Sequence, residues 1–172
     1  MWRNLRTNIK KKIKEDNFFN KTNFENLLGE IIASFQETTS KELVLNLDND
    51  KNKFNIQRTP EIMYGLRNFI GNANKFSKQK IFITLKSDNE FTEISIEDDG
   101  NGYPSEILSK IGEPYLKSDN DKDKSKIGLG LGIFIGKTLL EKNFAQINCQ
   151  NSKTRNGAEV KIKWKNKDLF NI

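Results

Sequence analysis

The stretch over residues 60–77 limits what this chain can fold into more than any other, because two helical patterns overlap in it. One is a set of apolar residues at three- and four-residue steps, which predicts a single buried helix face: Ile62, Leu66, Phe69, Ile70 and Ala73. Thr59 suits the N-cap and Pro60 the first helical position, so the helix is predicted to begin there.

The other pattern is polar and runs beside the apolar face. Glu61, Asn68, Asn72 and Lys75 are spaced seven, four and three residues apart, which places them on one side of the helix. Asparagine is a poor helix former, since its amide competes for backbone hydrogen bonds. The stripe therefore indicates either a solvated polar face or a site in which amide oxygens hold a hard cation and Lys75 meets the accompanying anion.

Periodicity elsewhere predicts an α/β fold, a two-layer sandwich of a mixed sheet and helices. Alternating residues predict strands over 42–47, 53–57, 80–86, 91–97, 146–150 and 158–164. Apolar residues at helical spacing predict helices over 24–35 and from about 133 to 142, with a short piece over 106–111. The segments 80–97 and 146–164 predict hairpins, the second turning at Asn156-Gly157, which excludes an all-parallel sheet.

Composition narrows the classes of partner. The net charge is +6, but the lysines are scattered, which favours a small anionic ligand over nucleic acid. Cys149 is the single cysteine and there is no histidine, so a disulfide framework is excluded and a zinc site is disfavoured. No apolar run reaches the roughly 20 residues of a membrane span and no signal peptide opens the chain, so a cytoplasmic location is expected.

Two glycine-rich segments are the remaining candidates for a site. Asp98-Asp99-Gly100-Asn101-Gly102 ends a buried strand; it is either an ordinary turn or a loop in which a carboxylate accepts from an exocyclic amino group. Gly128, Gly130 and Gly132 open onto a helix after a charged run, either as a hinge or as a phosphate site. A Rossmann fingerprint and a Walker P-loop both fail on spacing.

The order of these motifs resembles the ATP-binding catalytic domain of histidine kinases, in the family that includes the DNA gyrase and mismatch-repair ATPases. The resemblance covers about residues 24–164 and implies the Bergerat ATP-binding fold. More narrowly, GLRNFIGNA, GEPYLKS, GLGLGIFIGKTLLE and GAEVKIKW are similar to the redox-responsive RegB/PrrB-type sensor kinases. Tyr103 and Asn74 depart from the family's usual residues, without an expected effect on a key function.

The resemblance implies a role for each candidate residue. Asn68 and Asn72 would form the N-box pair, with Asn72 ligating Mg²⁺, Lys75 facing the phosphates of ATP and Phe76 flanking adenine. Asp98 would specify adenine and Asp99 fill a variable position. The other implied nucleotide-binding residues are Gly100 and Gly102 of the first glycine box, Gly128, Gly130 and Gly132 of the second, Tyr115 of the aromatic box, and Lys126 of an ATP lid over residues 117–126.

The resemblance also implies the domain organisation and the activity. Residues 1–20 would be the end of a dimerisation helix with its linker, and 21–172 the catalytic domain. The γ-phosphoryl of Mg-ATP would pass to a histidine outside this chain, on a dimerisation domain, and from there to a response regulator; full-length relatives are anchored in the inner membrane. The alternatives are a serine kinase of the anti-sigma type and a module that senses ATP without transferring its phosphoryl group.

Overall fold

A computed structural model describes residues 21–48, 54–114 and 131–169 of the chain. Its helices are α1 (Phe24–Gln36), α2 (Pro60–Phe76), α3 (Ser105–Leu108), α4 (Gly132–Glu141) and α5 (Asn166–Leu169). Its strands are β1 (Lys21–Thr22), β2 (Glu42–Asp48), β3 (Ile56–Gln57), β4 (Lys80–Ser87), β5 (Phe91–Asp98), β6 (Gln146–Asn151) and β7 (Ala158–Lys165).

Five strands form one mixed sheet in the order β2-β4-β5-β7-β6. β2 and β4 are parallel, whereas β4–β5, β5–β7 and β6–β7 are antiparallel, so both predicted hairpins are confirmed. In the connection between β6 and β7, Asn156 has a positive φ of 61°, a conformation that asparagine adopts more readily than most residues. The carboxyl end of β5 lies beside the turn between β6 and β7 because Glu97 pairs with Glu159.

One face of the sheet carries the core. Alternate residues of β4 and β5, such as Ile83 and Ile94, are fully buried there. The predicted apolar stripe of α2 is fully buried against them, together with Leu27 and Leu28 of α1. The fold is therefore the predicted two-layer α/β sandwich, in which the hydrophobic effect joins one helix layer to one sheet face.

The predicted start of α2 is confirmed, and its end is held by a residue that periodicity does not reveal. Thr59 Oγ1 accepts from the N–H of Ile62 at 3.3 Å. At the other end, the Lys41 amino group donates to the carbonyl oxygens of Asn74 and of Ser77, the latter at 2.7 Å. A cation there complements the negative end of the helix dipole.

Helix α4 runs antiparallel to α2 at close range, because glycines remove side chains at the crossing. A Cβ on Gly65 would lie 2.5 Å from Leu140 Cγ, and one on Gly136 would lie 3.2 Å from the Gly65 carbonyl oxygen. Nearer the start of α4, a Cβ on Gly132 would be 3.9 Å from Asn68 Oδ1. The first turn of α4 therefore lies beside the asparagine stripe of α2.

Three predictions of secondary structure were incomplete. β1, which pairs antiparallel with β3, and α5 were not predicted. Both elements are too short to show a hydrophobic period. The piece over 106–111 is helical only as far as Leu108. The predicted end of a dimerisation helix with its linker, over 1–20, and the predicted lid, over 117–126, lie outside the described residues, as do Tyr115, Lys126, Gly128 and Gly130.

Candidate functional site

Asp98 is the last residue of β5 and is 3% exposed. Its Oδ1 accepts two backbone N–H groups, that of Gly100 at 2.8 Å and that of Ala158 at 3.2 Å. Its Oδ2 has no hydrogen-bond partner within the described ranges. The carboxylate is therefore oriented through one oxygen and offers the other to an incoming donor.

Burial raises the pKa of Asp98, and the negative charge of Asp99 adds to this effect. The N–H groups of Gly100 and Ala158 and the charge of Lys41 work in the opposite direction, but the pKa remains raised. A carboxylate that is poorly solvated in this way gains more than an exposed one from a ligand N–H. The electrostatic environment of Asp98 therefore favours the binding of a hydrogen-bond donor to its carboxylate.

Asp99 behaves differently although it is the next residue. Both of its oxygens are occupied by backbone N–H groups, those of Lys78 at 2.7 Å and of Gln79 and Lys80 at 3.1 Å. Burial tends to raise the pKa of Asp99, but these donors outweigh it and the pKa is lowered. Asp99 therefore fixes the backbone that connects α2 to β4, and both of its oxygens are already hydrogen-bonded.

The first glycine loop touches the end of α2. A Cβ on Gly100 would lie 2.5 Å from the carbonyl oxygen of Phe76, so only glycine fits there. Gly102 has a φ of 74°, in the left-handed region that favours glycine. The ring of Phe76 is 38% exposed, and Lys75 Nζ lies 5.2 Å from its centroid. Phe76, Lys75 and Asp98 are thus brought to one end of the helix layer.

The amide pair lies further back along α2, opposite the start of α4. Asn68 Nδ2 donates to the carbonyl of Tyr64 at 2.8 Å, which turns its Oδ1 toward Gly132. Asn72 has no side-chain hydrogen bond to any described residue. Gly132 is the first residue of α4, and Leu131 before it supplies no side-chain cap. Uncapped N–H groups at a helix start favour an anion.

These side chains fit a magnesium ion that arrives with phosphate. Amide oxygens are hard ligands, and Mg²⁺ usually takes one or two protein oxygens and completes its shell with phosphate and water. The described ranges contain no group of three or more acidic, histidine or cysteine side chains able to hold a metal ion alone. Asn72, with its unengaged carboxamide, is the residue best suited to contribute the protein oxygen.

Tyr103 follows the first glycine loop and is 9% exposed. Its hydroxyl lies beside the Cys149 thiol and has no nitrogen or oxygen partner among the described residues. Burial raises the pKa of Tyr103 well above its usual value. It also raises the pKa of Cys149 to about 11, against the opposing effects of Lys137 and Tyr103. The Tyr103 and Cys149 side chains are therefore both shielded from water at the end of the first glycine loop.

Sequence reasoning missed the support that β6 and β7 give to Asp98. A Cβ on Gly157 would lie 1.9 Å from the Asp98 carbonyl oxygen, and Asn151 binds the backbone of Tyr103. Turn chemistry identifies the Asn156-Gly157 dipeptide only as a turn, whereas the close contact with the Asp98 backbone also requires its glycine. A separate surface groove of about 200 Å³, lined by Phe91, Phe144 and Lys163 among others, contains none of the candidate residues.

Comparison with known proteins places this geometry in a family. Residues 58–168 match the model of the histidine kinase-, DNA gyrase B- and HSP90-like ATPases. The sensor histidine kinase RegB of Cereibacter sphaeroides is 34% identical over an alignment of 102 residues, and the match covers 56% of this chain and 22% of RegB. This chain therefore matches about a fifth of the length of that relative.

Solved structures agree on the fold. The catalytic domain of histidine kinase ThkA superposes with a TM-score of 0.69 at 23% identity, covering 85% of this chain and 96% of that one. The mycobacterial sensor histidine kinase MprB gives 0.68 at 16% identity, covering 84% and 95%. Full-length ShkA, solved with AMPPNP, gives 0.68 at 20% identity, covering 83% of this chain and 30% of ShkA. The chain belongs to the family of histidine kinase-, DNA gyrase B- and HSP90-like ATPases.

Proposed function

We propose that this chain is the ATP-binding catalytic part of a sensor histidine kinase, and that it transfers the γ-phosphoryl of Mg-ATP to a histidine outside the sequence. The observation that carries the proposal is Asp98, a buried carboxylate with one oxygen anchored by backbone N–H groups and the other without a hydrogen bond to any described residue. The similarity to RegB supports the histidine kinase class, and the AMPPNP complex of ShkA supports a nucleotide ligand.

In this proposal Asp98 accepts from the adenine amino group, while Gly100 and Gly102 let the backbone approach the base. Phe76 and Tyr115 flank the nucleotide.

The phosphates lie at the second glycine box, formed by Gly128, Gly130 and Gly132, with Lys75 and Lys126 supplying positive charge. Asn72, which forms the N-box pair with Asn68, would hold Mg²⁺, and the ion when bound would neutralise charge on the transferring phosphoryl group. Catalysis then rests on positioning and on charge neutralisation.

The acceptor lies elsewhere because the 172 residues contain no histidine. We propose that residues 1–20 end a dimerisation helix and that 21–172 form the catalytic domain, which acts on a histidine-bearing domain of the full-length kinase or in trans. A response regulator would take the phosphoryl group next, on the cytoplasmic side where ATP is available.

No helix in the described ranges is long and apolar enough to cross a membrane.

The test is incubation of the chain with γ-labelled ATP, alone and with a two-helix domain bearing the acceptor histidine, followed by acid. We expect no label on the chain alone and weak, acid-labile label on the added domain, since a separate partner lacks the roughly millimolar effective concentration of a linked one. The same domain with its histidine replaced by alanine is the control.

Two outcomes would contradict the proposal. Acid-stable label on either protein would identify a serine kinase. Intact ATP binding without transfer to the histidine domain would identify a nucleotide-sensing module.

A further inference from the structure

One cross-strand pair of the β6–β7 hairpin holds both ends of the loop over residues 98–103. Asn151 and Ala158 are register partners across the two strands. The N–H of Ala158 donates to Asp98 Oδ1 at 3.2 Å, at the start of the loop. At its end, Asn151 Oδ1 accepts the N–H of Tyr103 at 2.6 Å, and Asn151 Nδ2 donates to the Tyr103 carbonyl at 3.0 Å.

We infer that Asn151 is a positioning residue for nucleotide binding, because its carboxamide acts as a strand partner for Tyr103 and holds the first glycine loop around Asp98. The inference rests on the proposed function, since it assumes that a nucleotide occupies this loop. Asn151 need not touch the nucleotide; it acts through the backbone that it binds.

The contact is specific in shape as well as in hydrogen bonding. A Cβ on Gly102 would lie 2.7 Å from Asn151 Oδ1, so a larger residue there would displace the carboxamide, and the φ of 74° at Gly102 also favours glycine. Beyond the contact, the ring of Tyr103 is buried, which gives the loop a fixed anchor. Without the carboxamide, both main-chain groups of Tyr103 lose the side-chain partner that holds them, and the loop regains conformational freedom.

The strand pairing does not depend on this side chain. The hairpin continues beside it through the Gln150–Glu159 pair and through the N–H of Ser152, which donates to the Gly157 carbonyl at 2.8 Å. Asn151 is itself exposed, so its truncation leaves no cavity in the core. Removal of the carboxamide should therefore weaken nucleotide binding more than it weakens the fold.

The experiment compares Asn151→Ala with Asn148→Ala, a matched control on the same strand whose exposed side chain donates to Gln150 Oε1 at 3.3 Å. Calorimetry with Mg-ATP should show affinity about tenfold weaker for Asn151→Ala, the effect expected of two hydrogen bonds, and unchanged for the control. Urea unfolding should give similar midpoints for both variants, and amide exchange at Tyr103 should accelerate only in Asn151→Ala. Asn151→Asp retains the acceptor for the Tyr103 N–H and should give intermediate affinity.

Unchanged ATP affinity in Asn151→Ala, or a loss of affinity that follows a loss of stability in all Asn151 variants, overturns the inference. Wild-type chain that binds no ATP would instead remove the proposed function, and the inference with it. The two failures are distinguishable because only the second affects the unmodified chain.

Discussion

At the scale of single residues, the backbone uses the carboxylates of Asp98 and Asp99 in different ways. Two N–H groups occupy one oxygen of Asp98, whereas N–H groups of Lys78, Gln79 and Lys80 occupy both oxygens of Asp99. The same residue type therefore has one oxygen without a partner among the described residues at position 98, and at position 99 binds backbone N–H groups through both oxygens.

We predict that Asp98→Asn lowers ATP affinity by about tenfold or more and reduces discrimination against GTP, because an amide replaces an acceptor that pairs with the adenine amino group. Calorimetry with both nucleotides measures this. Asp99→Asn is the matched control and should retain nucleotide affinity. An Asp98→Asn variant with wild-type ATP affinity would contradict the assignment.

For Asp99 the prediction concerns stability and pH. Its pKa is lowered in the folded chain, so its contribution to stability is present above the usual aspartate value of about 3.9 and is lost as pH falls through the folded pKa. Asp99→Asn should therefore destabilise the chain at neutral pH, with the difference from wild type shrinking below about pH 4. Urea unfolding at several pH values checks it; a difference that does not vary with pH would be inconsistent with this role.

Cys149 should react slowly with thiol reagents in the folded chain. Burial raises its pKa to about 11, so little thiolate exists near pH 8, and it is the sole cysteine of the sequence. Absorbance assays with a disulfide reagent should show that the reaction rate continues to rise at pH values above about 8.5, the usual pKa of a cysteine thiol. In guanidinium the rate should become that of an ordinary thiol; fast labelling of the folded chain would show that the thiol is accessible.

At the scale of elements, the contact between α2 and α4 depends on a missing side chain. Gly65→Ala would place Cβ 2.5 Å from Leu140 Cγ in the core, and we expect a net destabilisation of about 1–2 kcal/mol after the gain in helix propensity. Gly29→Ala in α1 has no atom within 4 Å of the new Cβ and should stabilise by about 0.5–1 kcal/mol. Thermal unfolding measures both; equal effects would mean that the helices separate easily.

At the scale of the whole molecule, the candidate residues come from α2, the end of β5, the β6–β7 hairpin and α4. A nucleotide bound among them should stabilise all of these elements together. At 100 times its dissociation constant it adds about 2.7 kcal/mol, which corresponds to a rise of roughly 5–10 °C in the unfolding midpoint. Calorimetry should show one shifted transition with Mg-ATP, and about half that shift in Asp98→Asn at the same nucleotide concentration. Two separate transitions would show that the parts unfold independently.

Much of this architecture is determined by local patterns. The apolar stripe of α2, its cap at Thr59 and the alternation in β4 and β5 each depend on neighbours within a few residues, so periodicity predicted them and the structure confirms them. The asparagine stripe was visible for the same reason, since residues three and four apart share a helix face. Positive φ at Gly102 is likewise a property of the local backbone.

Tertiary structure decided which of these groups meet and which atoms remain free. The orientation of the Asp98 carboxylate depends on the N–H of Ala158, which is 60 residues away and binds Oδ1. The crossing of α2 and α4 depends on contacts such as that of Gly65 with Leu140. Lys41, Gly157 and Asn151 could not be identified as parts of the site, because their contacts join distant segments and leave no period in the chain. A sequence specifies such contacts only through the packed fold, where burial and hydrogen bonding act on segments that the chain itself keeps apart.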